Sequence, residues 1–67
     1  MTVLVNENPR EVPEASLLAH LLREMGVEAK RGVAVALNGK VVPSVQWQET
    51  KLSSNDEVLL IQATQGG

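Results

Sequence analysis

Apolar residues alternate with polar or opposite-facing ones in two short runs, Thr2-Val3-Leu4-Val5 and Glu57-Val58-Leu59-Leu60-Ile61-Gln62-Ala63. Both runs have the β-branched composition of strands. Between them, Leu17, Leu18, Leu21, Leu22 and Met25 recur at i, i+1, i+4, i+5 and i+8, which is one broad helical stripe. His20, Arg23 and Glu24 fall on the other side of that helix. Ser16 is placed to cap its N-terminus, although Ala19 rather than Glu or Gln stands at the capping-box position. Gly26 supplies a left-handed stop. Asn6-Glu7-Asn8-Pro9 reads as a turn, with Arg10-Glu11-Val12 returning as a second strand before Pro13. Val33 to Asn38 reads as a third strand. Asn38-Gly39 is a strong type I′ hairpin signal, because both central residues of that turn need positive φ. Lys40-Val41-Val42 returns from it and is stopped by Pro43. Ser44 to Gln48 is short and mixed, and is expected to form one tight turn. Ser53-Ser54-Asn55-Asp56 is another turn, with Asn55 suited to a left-handed conformation.

The order β-β-α-β-β-β, with strands in hairpin-linked groups, predicts an α+β domain. One helix lies across one face of a mixed four- to five-stranded sheet, and the first and last strands are free to pair in parallel at its centre. Alternation then sorts the strand residues by face. Val3, Val5, Val35, Leu37, Val58 and Leu60 belong beneath the helix. Leu4, Ala34, Ala36, Leu59 and Ile61 belong to the opposite face, which a single helix leaves uncovered. An apolar patch there reads either as a contact surface or as the second face of central strands shielded by loops. As a contact surface, its candidate docking residues are Leu4, Ala36, Leu59 and Ile61.

Composition narrows the function classes. The chain has 67 residues, enough for one domain, with 43% hydrophobic and 21% charged residues, as in an ordinary soluble globule. It has no cysteine, so disulfides, thiolate metal ligation and a cysteine nucleophile are excluded. The net charge is −2, the basic residues are scattered and Trp47 is the sole aromatic, a pattern opposed to nucleic-acid binding. No apolar run approaches the roughly 20 residues of a membrane span. The N-terminal run lacks a basic leader, and a cytoplasmic protein, monomeric when free, is expected. No set of metal ligands converges. His20, the acidic pairs Glu11/Glu14 and Asp56/Glu57, and Lys40 read as solvated surface, and Trp47 as a cap on the core. The chain is not expected to be an enzyme or to bind a cofactor.

The remaining feature is Gln65-Gly66-Gly67, directly after the last strand. Diglycine is slim and conformationally permissive. Thr64 to Gly67, extended, reach roughly 13 Å at about 3.3 Å per residue. The expected organisation is a domain over 1–63 and a flexible tail over 64–67.

Taken together, the strand–hairpin–helix order, Ala36-Leu37-Asn38-Gly39-Lys40-Val41-Val42-Pro43 with Trp47 four residues on, Ser54-Asn55-Asp56-Glu57-Val58-Leu59-Leu60-Ile61 and Gly66-Gly67 resemble the ubiquitin-like sulfur carrier proteins of thiamine (thiazole) biosynthesis. The resemblance implies a β-grasp fold. It also implies that chemistry is done to this chain. A ubiquitin-activating-like adenylyltransferase uses ATP to adenylate the Gly67 carboxylate. A sulfur donor system then converts it to a thiocarboxylate, whose sulfur passes to thiazole synthase. Gly66 and Gln65 give the tail its narrow access. Two residues depart from the family pattern: Ser44, where a basic residue is common, and Asn55, where glycine is common. Two other readings are the small subunit of molybdopterin synthase, which shares the thiocarboxylate chemistry, and a ubiquitin-like binding or modifier module.

Overall fold

The structure, a computed structural model, describes residues 1–62. Five strands form one mixed sheet: β1 (Thr2–Val5), β2 (Asn8–Glu11), β3 (Val33–Leu37), β4 (Lys40–Val41) and β5 (Glu57–Gln62). Helix α1 (Leu18–Glu24) and a 3₁₀ helix (Ser44–Glu49) complete the elements. The strand order is β2-β1-β5-β3-β4. β1 pairs in parallel with β5, which also pairs antiparallel with β3. The expected parallel pairing of first and last strands at the centre of an α+β sheet is therefore present.

Both hairpins close on two-residue turns with positive φ throughout: Asn6 and Glu7 at 48° and 72°, Asn38 and Gly39 at 51° and 87°. This is type I′ geometry, whose twist matches that of the flanking strands. The first turn is shorter than the sequence suggested. Asn8 and Pro9 are strand residues, with Val5 opposite Asn8 and Leu4 opposite Pro9. Proline is tolerated there because β2 is an edge strand. The closing Val5–Asn8 pair exchanges the hydrogen bonds, and the next pair along exchanges none.

The helix also begins differently. Ser16 is not its N-cap; Leu17 occupies that position. Ser16 is buried, and its hydroxyl donates to the Pro13 carbonyl at 2.5 Å. Ser16 to Leu18 are held beside Thr50 to Leu52 instead. The Leu18 N–H donates to the Thr50 carbonyl (2.8 Å) and the Leu52 N–H to the Ser16 carbonyl (2.9 Å). A neighbouring extended segment thus meets the donor that a serine cap would have met. His20, exposed as expected, accepts the Leu17 N–H through Nδ1 at 3.4 Å. At the other end, the Gly26 N–H bonds the Arg23 carbonyl (3.0 Å) and the Val27 N–H the Leu22 carbonyl (2.8 Å). With Gly26 at φ 74°, this is a Schellman stop.

Ser44–Glu49 makes a six-residue 3₁₀ helix rather than a single tight turn. Its inward residue is Trp47, 7% exposed, whose indole N–H donates to the Val42 carbonyl at 2.9 Å. Burial and a satisfied donor make it the cap on the core that the sequence suggested. That core joins Val3, Val5, Val35 and Val58 of the sheet to Leu18, Leu21 and Leu22 of α1, with Leu52 and Trp47 at one end.

Gly26→Ala tests the helix stop. A Cβ there meets nothing within 4 Å, so the cost is conformational. The expected loss is about 1 kcal/mol of unfolding free energy, read as a lower denaturant midpoint with unchanged m-value.

Candidate functional site

Alternation places Val3, Val5, Val35 and Val58 under the helix, where all four are buried. Leu37 and Leu60 are partly buried against the same core. The opposite face carries Leu4, Ala34, Ala36, Leu59 and Ile61 across the three central strands. Register brings them together: Ala36 lies opposite Leu59, and Ala34 opposite Ile61. Val41 on β4 lies opposite Ala36 and extends the face. Leu59 and Ile61 are 50% and 51% exposed. Leu4, Ala34 and Ala36 are half-buried, so the exposed apolar area of this face is concentrated on β5.

The face is flanked by carboxylates. Glu57 is opposite Leu4, and Glu11 is opposite Thr2, whose hydroxyl donates to it. A hollow of about 520 Å³ at mid-sheet is lined by Leu4, Asn6, Glu7, Ala36, Gly39, Glu57, Val58 and Leu59. Its polar side chains are one carboxamide and two carboxylates. No group of three or more His, Cys, Asp or Glu residues is placed to hold a metal among the described residues.

β5 runs from this face directly towards the C-terminus and is held from both sides at both ends. At its start, the Asn38 side chain accepts the Glu57 N–H (2.9 Å) and donates to Asp56 Oδ1 (3.0 Å). The Asn38 N–H donates to the Glu57 carbonyl at 2.8 Å. Asp56 Oδ2 accepts the Ser53 N–H at 2.7 Å, and Asn55 holds the preceding turn at φ 71°. Near its end, the Asn6 side chain accepts the Leu60 N–H (2.8 Å) and donates to the Leu60 carbonyl (3.3 Å). The sequence pointed to Asn6 and Asn38 only as turn formers. The available signal for more was that asparagine, not glycine, stands first in both turns. Gln65, Gly66, Gly67 and the boundary between 1–63 and 64–67 lie outside the described residues.

The model of the ThiS family matches residues 3–67. The chain belongs to the ThiS family. The sulfur carrier protein ThiS of Escherichia coli (strain K12) is 28% identical over 67 residues, covering 100% of both proteins. The crystal structure of the thiamine biosynthesis protein ThiS from Geobacter metallireducens superposes with a TM-score of 0.81 at 29% identity, covering 100% of both chains. The solution structure of a thiamine biosynthesis protein from the same organism gives 0.80 at 29% identity, covering 100% of this chain and 88% of that one. The resemblance read from the sequence is borne out for family and for the β-grasp fold. In this ThiS-family chain the strand leading to the diglycine is thus paired on both sides, clasped by two asparagine side chains, and carries the exposed Leu59 and Ile61.

Asn38→Asp tests the first anchor. It replaces a donor to Asp56 with a second carboxylate at hydrogen-bond distance. The expected loss is about 1 kcal/mol, discounted for exposure, and added salt restores part of it in denaturant titrations.

Proposed function

We propose that this chain is a sulfur carrier whose Gly67 carboxylate is converted to a thiocarboxylate for thiazole ring formation in thiamine biosynthesis. The observation that carries this reading is the match to the ThiS family over residues 3–67, which includes the diglycine. The relatives' names support thiamine over molybdopterin: a thiamine biosynthesis protein solved both in the crystal and in solution is alike over the whole chain.

The chemistry follows from the poor electrophilicity of a free carboxylate. A Gly67 oxygen attacks the α-phosphorus of ATP on the activating enzyme, and pyrophosphate leaves. The acyl-adenylate then has AMP as its leaving group. Attack by sulfide-level sulfur (HS−) supplied by the donor system displaces AMP, which carries away one carboxyl oxygen, and loss of the sulfur's proton leaves the thiocarboxylate. Thiazole synthase receives that sulfur. The chain contributes a substrate terminus, with no catalysis and no bound cofactor of its own; ATP belongs to the activating enzyme. Gly66 and Gln65 supply slender access, and five residues past Gln62 span about 17 Å when extended.

Leu4, Ala36, Leu59 and Ile61 form the docking surface for these partners. Covering the exposed halves of Leu59 and Ile61 contributes about 1 kcal/mol each. No helix of the described residues is long and apolar enough to cross a membrane, and the reading places the carrier in the cytoplasm with its soluble partners.

Two outcomes test this. Intact-mass spectrometry after incubation with activating enzyme, ATP and sulfide is expected to show exchange of one oxygen for sulfur on Gly67. Deleting Gly67 abolishes that exchange and leaves the unfolding free energy within about 0.5 kcal/mol; exchange persisting in the truncated chain sinks the reading. The second variant is Leu59→Ser with Ile61→Ser. Its KM as a substrate of the activating enzyme is expected to rise about tenfold or more. An unchanged KM removes the face from the interaction.

A further inference from the structure

The parallel pairing of β1 with β5 stops short of the end of β5. The Leu4 N–H donates to the Asp56 carbonyl (2.8 Å) and the Asn6 N–H to the Val58 carbonyl (2.9 Å). In a parallel ladder the next bond runs from the Leu60 N–H to the backbone carbonyl of Asn6. Here the chain has already turned away, because Asn6 and Glu7 take positive φ to form the hairpin. β1 has four residues and β5 has six. The missing rung is made by a side chain. The Asn6 carboxamide accepts the Leu60 N–H and donates to the Leu60 carbonyl, at 2.8 and 3.3 Å.

We propose that Asn6 is a positioning residue for sulfur loading: its carboxamide fixes the heading of β5 at Leu60, and so directs the C-terminal residues towards the activating enzyme's nucleotide. This rests on the sulfur-carrier reading above. Leu60 is the last residue of β5 described as bonded on the β1 flank. From Ile61 onward the strand is held through its pairing with Ala34 and Val33 on β3, and a strand held along one edge swings about that edge. A change of heading at Leu60 passes to Ile61 and Gln62, the residues from which the C-terminal segment departs. Adenylation depends on bringing the carboxylate within bonding distance of phosphorus in the right orientation, and such alignment is a large part of rate acceleration. Asn6 borders the hollow beside the docking residues Leu4, Ala36 and Leu59, but its carboxamide is engaged with the Leu60 backbone and the apolar area of the face is unchanged without it. Loss of the carboxamide therefore acts on turnover rather than on capture.

Asn38 provides an internal control. It holds the equivalent position in the other type I′ turn and clasps the same strand, at Asp56 and Glu57. It acts at the end remote from the diglycine, so it contributes to folding without directing the terminus. Glycine is the substitution that suits both turns, since it keeps positive φ and removes only the carboxamide.

The experiment compares wild type, Asn6→Gly and Asn38→Gly in the full chain. It measures amide hydrogen exchange, thermal unfolding and steady-state adenylation well below the unfolding transition. In Asn6→Gly, the Leu60 amide is expected to exchange at least tenfold faster relative to Val3 and Val35, kcat to fall several-fold, and KM for the carrier to stay within twofold. Asn38→Gly is expected to lower the unfolding midpoint comparably while leaving kcat at the wild-type value. Equal kcat in all three proteins, a kcat loss shared by Asn38→Gly, or an unchanged Leu60 exchange rate would each overturn the proposal. Wild type that is never adenylated by an enzyme active on its own carrier refutes the sulfur-carrier reading instead, and the exchange data still decide whether Asn6 anchors Leu60.

Discussion

The fold depends on where the last strand is inserted. β5 has partners on both sides, β1 in parallel and β3 antiparallel, and its Val58 is buried against the helix. Without it the N-terminal hairpin and the β3–β4 hairpin share no backbone bond, and each two-stranded ribbon is marginal by itself. With it, Val3, Val5, Val35 and Val58 form one continuous surface for Leu18, Leu21 and Leu22. In a domain this small, where little surface is available to bury, that alignment decides whether a core exists.

The same insertion produces the functional asymmetry. Strand side chains alternate, so each residue sent to the core has neighbours sent the other way. Val58 and Leu60 pack inward, and Leu59 and Ile61 face outward in consequence. A protein with one helix covers one side only. The uncovered side is apolar along the three central strands, and it adjoins the segment that carries the diglycine. The most exposed apolar side chains of that face, Leu59 and Ile61, therefore stand on the same strand that leads into residues 63–67.

Much of this was legible in the sequence because strong local signals agreed with the tertiary demand. The leucine stripe, Gly26, Asn38-Gly39 and the alternation in β5 each have one good structural solution. The parts that were not legible are those in which distant segments compete for the same groups. Ser16 has the side chain of a cap, yet Thr50 to Leu52 lie alongside and take its neighbours' hydrogen bonds. Asn8 and Pro9 have turn-forming composition, but Asn6 and Glu7 complete the reversal alone, which frees the next two residues to pair. Ser44 to Glu49 has weak local preference, and burial of Trp47 gives it helical form. The roles of Asn6 and Asn38 were hidden for the same reason: their partners lie 54 and 19 positions away.

The central place of β5 also bears on how the protein is made. Its strand follows the other described strands in the chain, yet it sits between two of them. Until it emerges, β1 and β3 each present an unpaired edge, and the closing contacts span nearly the whole chain, which is the costly kind to form. Completion of the sheet thus waits for β5. A nascent chain that stops before β5 cannot complete the sheet. Completion of the sheet certifies that synthesis has passed β5.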